Sequence, residues 1–164
     1  MKKVIYCLAV AGLVLGLASC QKEKEEENVT NFVDAEAVYV MELDEDVHYF
    51  MLNLYTDVQV DDSNYIVSAG ELAYLTLLTS DTVLVPGKYV TSDNYEAGTI
   101  VPEFSEWIEL GEGGETLYDE LQKDGSVEIS VKDDIYTINV NMVDSADVAH
   151  TGKFVGKVPY YSYK

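Results

Sequence analysis

Arginine is absent from the 164 residues, and ten lysines stand against thirty acidic residues, for a formal charge of −20. A phosphate backbone is held by basic patches and arginine forks. This chain offers neither, so nucleic-acid binding is excluded as a function. Cysteine is scarce too: Cys7 and Cys20 are the only two. The two histidines, His48 and His150, are a hundred residues apart, which rules out the spacing of a zinc protease. Each is expected to be a surface or cross-strand residue. No Gly-x-Ser-x-Gly elbow occurs, and no phosphate-binding glycine loop. The glycine-rich stretch Gly111-Glu112-Gly113-Gly114-Glu115 carries carboxylates that would repel a phosphate, and it reads as a flexible turn. Beyond residue 18 no apolar run is long enough to span a bilayer, which takes roughly twenty residues.

The first twenty residues are ordered differently from the rest. Lys2 and Lys3 precede an uncharged, mostly apolar run over 4–18, followed by the small residues Ala18 and Ser19 and then Cys20. That is the order of parts in a secretory signal peptide, and a run of about fifteen residues is short for a permanent transmembrane helix. Leu17-Ala18-Ser19-Cys20 also resembles the lipobox of bacterial lipoproteins. The resemblance implies cleavage between Ser19 and Cys20, a diacylglycerol on the Cys20 thiol and further acylation, typically palmitate. Two or more acyl chains hold a protein on a membrane where one does not, at ~0.8 kcal/mol per buried methylene. The alternative is an ordinary signal peptide followed by a chance cysteine. Under the lipoprotein reading Cys7 leaves with the leader and Cys20 is the single remaining thiol. No internal disulfide can form, and stability rests on a packed core. The mature chain keeps 145 residues, enough for one domain, with side chains summing to −22.

Residues 21–27, Gln-Lys-Glu-Lys-Glu-Glu-Glu, have no apolar area to bury and read as an extended spacer. They resemble the acidic signal that sends lipoproteins of the Bacteroidota to the outer face of the outer membrane, although Lys24 interrupts the acidic run. The organisation expected is a signal peptide over 1–19, a lipidated cysteine with an acidic tether over 20–33, and one domain over 34–164. The location implied is the outer membrane, facing outward; the alternative is an anchor facing the periplasm.

From about residue 33 the texture becomes short alternating runs broken by Asp, Gly, Asn and Pro, the pattern of an all-β domain. Residues 126–143 are the clearest case. Val127, Ile129 and Val131 alternate with Glu128 and Ser130, Asp133-Asp134 makes a turn, and Tyr136, Ile138, Val140 and Met142 alternate with polar residues, so a hairpin with one buried face is expected. A first hairpin is expected from 37–43 and 47–55 around Asp44-Glu45-Asp46, with further strands at 72–79, 82–85, 88–91, 107–110 and 151–158. Gly152 and Gly156 inside the last one suggest a bulge or a close backbone approach. Residues 116–119 could start a turn of helix capped by Thr116. The fold class expected is a single antiparallel β-sandwich of about eight strands, or alternatively a small lipocalin-like β-barrel.

The Pro86-Gly87-Lys88-Tyr89 turn, the strand start at 124–129, the Tyr-Thr-Ile-Asn-Val run at 136–140 and the closing Gly-Lys-Phe-Val-Gly at 152–156 resemble a group of small β-sandwich lipoproteins of the Bacteroidota. The resemblance covers roughly 82–158 and rests on structural residues. It implies a fold and a location, and no chemistry.

Candidate site residues follow from residue type. Asp44, Glu45 and Asp46, and Asp61 and Asp62, could each offer hard oxygens to Ca2+ from one turn; the alternative is solvated loop acids. Tyr95, Trp107, Tyr160, Tyr161 and Tyr163 could stack on sugar rings or anchor a protein partner, or could instead cover a sheet edge or pack in the core. Thr82 and Ser145 sit in Asp-Thr-Val and Asp-Ser-Ala triplets that resemble the O-glycosylation acceptor of secreted Bacteroidota proteins. No other cofactor is implied. The expectation is a non-catalytic envelope module binding glycan or protein. The alternatives are a structural or assembly component of the surface and, third, a small carboxylate-dependent hydrolase.

Overall fold

The computed structural model describes residues 28–63 and 65–162. Cys20, Ser19 and Tyr163 lie outside them. The described chain is all-β, and its one helical piece is a 3-10 turn over Pro102–Phe104. The eleven strands are β1 (Val29–Phe32), β2 (Asp34–Asp44), β3 (Val47–Tyr55), β4 (Gly70–Thr79), β5 (Gly87–Thr91), β6 (Thr99–Ile100), β7 (Glu106–Leu110), β8 (Thr116–Lys132), β9 (Ile135–Asp144), β10 (Ala149–Gly156) and β11 (Tyr160–Ser162).

They form one continuous sheet in the order β1-β10-β9-β8-β5-β6-β4-β3-β2-β11, with β7 joining β4 and β8 off that path. Strands β4, β6, β5, β8 and β7 therefore close a five-stranded ring. One wing, β3-β2-β11, extends from β4, and a second, β9-β10-β1, extends from β8. A single apolar cluster takes Ala37, Phe50, Leu52 and Leu54 from the first wing and Ile138, Val140 and Phe154 from the second. The two layers thus face each other across one core, as in a sandwich, while the ring shuts one side as in a barrel.

The hairpin expected over 126–143 is present. Val127 opposes Val140 and Ile129 opposes Ile138, and Asp133 and Asp134 turn with φ of 52° and 60°, the left-handed pair that a two-residue hairpin loop requires. The hairpin around Asp44-Glu45-Asp46 is also present, with Asp46 at φ 62°.

Four expectations are corrected. Residues 29–32, placed in the tether, form β1, paired parallel with β10. Phe32 supplies the reason: its ring is 4% exposed and lies 5.4 Å from that of Trp107. Residues 116–119 are not helical. They begin the 17-residue β8, and their ladder to β7 overrides the local cap signal. Residues 82–85 form no strand. The strand count is eleven rather than eight, and three pairings, β1/β10, β5/β6 and β2/β11, are parallel. The close approach suggested by Gly152 is real: a Cβ there would come within 2.4 Å of the Phe32 ring, so this glycine lets β1 seat its aromatic side chain over β10.

Candidate functional site

Strands β3 and β4, and β2 up to the bulge after Tyr39, carry core residues at alternate positions. Ala37, Phe50, Leu52, Leu54, Ala73 and Leu75 point into the core. On a pleated strand the intervening residues must face the other way. Cross-strand register sets Glu36 beside Asn53, Asn53 beside Tyr74 and Tyr74 beside Glu106. This outward row runs across four strands. Above one end of it a groove of about 670 Å³ is lined by Val33, Asp34, Glu36, Tyr55, Thr56, Asp57, Val58, Val60, Ile66 and Tyr74.

The floor is held by hydrogen bonds. Tyr55 Oη and Asn53 Nδ2 each donate to Glu36 Oε1 at 2.8 Å. The Tyr55 and Tyr74 rings meet edge to face, centroids 6.2 Å apart. Burial and the Glu36 bond push the Tyr55 phenol well above its ordinary value, and burial with the charges of Glu106 and Glu36 raises Tyr74. Both phenols are therefore neutral over the whole physiological range. Asn53 is 6% exposed, and among the described residues its Oδ1 has no donor. Burial, with the neighbouring Asp119 carboxyl, raises Glu106.

One wall is the segment between β3 and β4. It doubles back on itself, with Val60 bridging Ile66, Asp61 N–H donating to Tyr65 O at 2.9 Å and Val67 N–H to Gln59 O at 2.9 Å. The glycine-rich stretch supports this wall from behind and is not a loose turn. Gly114 N–H donates to Gly111 O at 2.9 Å and Gly111 N–H to Glu115 O at 2.8 Å. Gly114 sits at φ +78°, and a Cβ there would lie 2.0 Å from Ile66 O. Only glycine lets the two loops approach so closely.

A second depression, about 270 Å³, adjoins the groove. It is lined by Glu36, Val38, Tyr161 and Ser162. Glu36 is common to both hollows, so Tyr161, half exposed on β11, belongs to the same outward face as Tyr55 and Tyr74. Tyr95 is elsewhere on that face, beyond the 3-10 turn. It is 53% exposed, donates to Glu103 at 2.5 Å, and borders an apolar cleft of about 110 Å³ with Met41, Leu43, Tyr49 and Phe104.

Trp107 and Tyr160 take the structural role. The Trp107 side chain is 1% exposed, and Nε1 donates to Glu71 Oε2 at 3.2 Å. It is buried because β7 bridges the two halves of the sheet and turns this residue inward, so of its two readings the ring packed in the core holds and the ring open to a ligand does not. Its indole stacks on His150, whose Nε2 is 2.7 Å from Asp144 Oδ2. His150 is therefore a core residue and not a surface one, and Tyr118 donates to the same carboxylate oxygen. Burial alone would raise the Asp144 carboxyl; bonds from Tyr118, His150 and the Val148 N–H prevail and bring it down to about 2. Tyr160 packs its ring 5.7 Å from Phe50 and donates to Thr82 O, which clasps the chain end to the loop before β5.

The acidic residues of the calcium expectation sit on two separate turns. Among the described residues no group of three or more His, Cys, Asp or Glu side chains is placed to hold a metal. Asp44, Glu45 and Asp46 splay outward from a hairpin tip, and Asp44 Oδ1 accepts from Glu45 N–H. Asp61 Oδ1 accepts from Ser63 and Tyr65 N–H at 2.8 and 2.9 Å, shaping its own turn, and Asp62 is exposed beside it. Thr82 and Ser145 are exposed outside the strands; the Ser145 hydroxyl donates to Glu120 and the Thr82 hydroxyl to Asp81.

Glu36, Asn53, Tyr55 and Tyr74 were not singled out from the sequence. The signal was available, because each is the outward member of an alternating strand, but only the register places them together. No family model, curated protein or solved structure matches the chain.

Proposed function

We propose that the chain is a lipid-anchored binding module of the bacterial cell envelope, held at the outer membrane with its domain on the outer face, and that it binds a glycan or protein ligand without transforming it. The observation that carries this reading is the groove over Tyr55 and Tyr74. Two aromatic rings, an apolar wall and a few convergent carboxylates are the makings of a ligand site. Its volume falls within the ~300–1,000 Å³ usual for such sites.

Catalysis finds less support. A glycosidase needs two carboxyl groups ~5–9.5 Å apart across the scissile bond. On this face burial and the neighbouring Asp119 carboxyl act on Glu106, and neither residue lines the groove.

The experiment is a glycan array and an envelope pull-down with the full chain in detergent, beside Tyr74→Ala and Val60→Trp. Ligand capture lost in both variants supports the groove. Capture unchanged in both sinks it.

One observation favours assembly as a second reading: β11, with its tyrosines, is the terminal strand of the sheet. Self-association abolished by Tyr161→Lys would support that reading, and a chain that is monomeric at all concentrations would end it.

A further inference from the structure

We infer that the groove takes a small amine, bound as its ammonium ion among Asp34, Glu36 and Asp57 and against the rings of Tyr55 and Tyr74. This rests on the reading that the groove is the ligand site, and it names the chemistry of what enters.

The first argument is charge. Three carboxylates line the groove and, among the described residues, no cationic side chain does. The deficit is wider than the groove: residues 28–87 hold eleven acidic residues and no lysine, with His48 their single basic side chain. His48 is on the core-facing side of β3, whereas the groove is on the other face. The ion pairs of the described residues, Lys88–Glu128, Lys123–Asp147 and His150–Asp144, all lie elsewhere. Among the described residues the groove carboxylates therefore meet no counter-charge. An anionic ligand would be repelled, a neutral one would leave the mutual repulsion in place, and a cation would relieve it.

The second argument is the remaining bonding capacity. Both bonds to Glu36 fall on Oε1, and among the described residues none falls on Oε2. Asn53, between Glu36 and Tyr74 in the register, is buried beneath this lining and holds Glu36 in place from below. Glu36 Oε2 is an acceptor, and an ammonium is a donor with no acceptor of its own. The Tyr55 hydroxyl is already committed to Glu36, so the tyrosines offer ring faces, which attract cations within ~6 Å of the centroid.

The third argument is shape. Val33, Val58, Val60 and Ile66 give the groove an apolar side, suited to a carbon skeleton. A free amino sugar within a glycan and a linear polyamine share this chemistry.

Calorimetry on the full chain in a neutral detergent would use three probes: a glucosamine tetrasaccharide with free amines, its N-acetylated counterpart, and spermidine. The expected result is binding of at least one amine, weakened by added salt and by ~10-fold or more in Asp57→Asn. Asp57 is an exposed loop residue, so this variant does not burden the fold; Glu36→Gln serves as a second test. Binding of the amino sugar alone would identify the glycan source, and equal binding of spermidine the polyamine source. Equal affinity for the N-acetylated sugar, or unchanged affinity in both charge variants, would overturn the inference while leaving the groove as a site. No amine binding at low salt would overturn it as well. Amine binding indifferent to Tyr74→Ala and Val60→Trp would remove the groove reading itself.

Discussion

The indole of Trp107 lies on the imidazole of His150, ring centroids 4.8 Å apart and planes 21° from parallel. Trp107 comes from the strand that bridges the two halves of the sheet, and His150 from the second wing. Their contact joins parts of the fold that share no backbone ladder. Trp107→Ala should therefore cost about 3–5 kcal/mol, the range for deleting a buried large aromatic. Trp107→Phe keeps most of the packing and loses the bond to Glu71, so it should cost about 0.5–1.5 kcal/mol plus a packing term. Urea unfolding followed by circular dichroism would check both. Equal losses would show that the hydrogen bond, and not the packing, carries the contact.

Asp144 predicts an acid transition. Its carboxyl titrates lower in the folded chain, at about 2, than in an unfolded one, at ~3.9. A depressed carboxyl contributes stability that is fully present above the unfolded value and is lost as pH falls through the folded one. Asp144→Asn should thus be destabilised at neutral pH, and its deficit against the natural chain should shrink between about pH 4 and pH 2. Urea midpoints across that interval would show it. A deficit that stays constant would mean the ionised form of Asp144 is not what stabilises the fold.

Gly114 predicts a difference between neighbours. Gly114→Ala places a methyl against the Ile66 carbonyl and forces alanine to a positive φ, a combination worth about 1–3 kcal/mol or more. Gly113→Ala meets only the flexible Glu115 carboxylate, at 3.2 Å, and should be near neutral. Melting temperatures of the two variants are the measurement. Equal melting would mean that the glycine-rich loop does not brace the groove wall.

The proposed anchor predicts fractionation. Cys20→Ala should release the protein from membranes or leave it uncleaved, and unchanged membrane partition would defeat the lipobox reading. Replacing residues 22–27 with Gly and Ser should reduce protease access to the domain on intact cells. A domain that stays accessible would count against an outward-facing signal in that segment.

Legibility in the sequence followed locality. The β8–β9 hairpin could be read directly because both strands alternate and the Asp133-Asp134 turn lies between them, so the whole pattern sits in one window. The β2–β3 hairpin was legible on the same grounds. Strand β1 was not, because four residues pairing in parallel with a strand over a hundred positions away leave no local signature. Residues 116–119 misled because a threonine cap signal is local, while the pairing that overrides it comes from β7. Trp107 could not be placed by residue type alone, since its burial depends on β7 serving two partners. The groove was hidden most deeply: Glu36, Tyr55, Ile66 and Tyr74 come from three strands and a loop, and each looks like an ordinary solvent-facing residue until the register is known.

Strand β1 also has a mechanical meaning. Its four residues run parallel to β10, from Val29 beside Thr151 to Phe32 beside Phe154, and Val33 alone separates them from β2. A pull on the chain from the N-terminal side, along the strand axis, loads the β1–β10 bonds together in shear and does not peel them singly. If the chain is anchored as proposed, this strand would act as a strain relief, through which a drag on the domain passes before it reaches β2 and the groove.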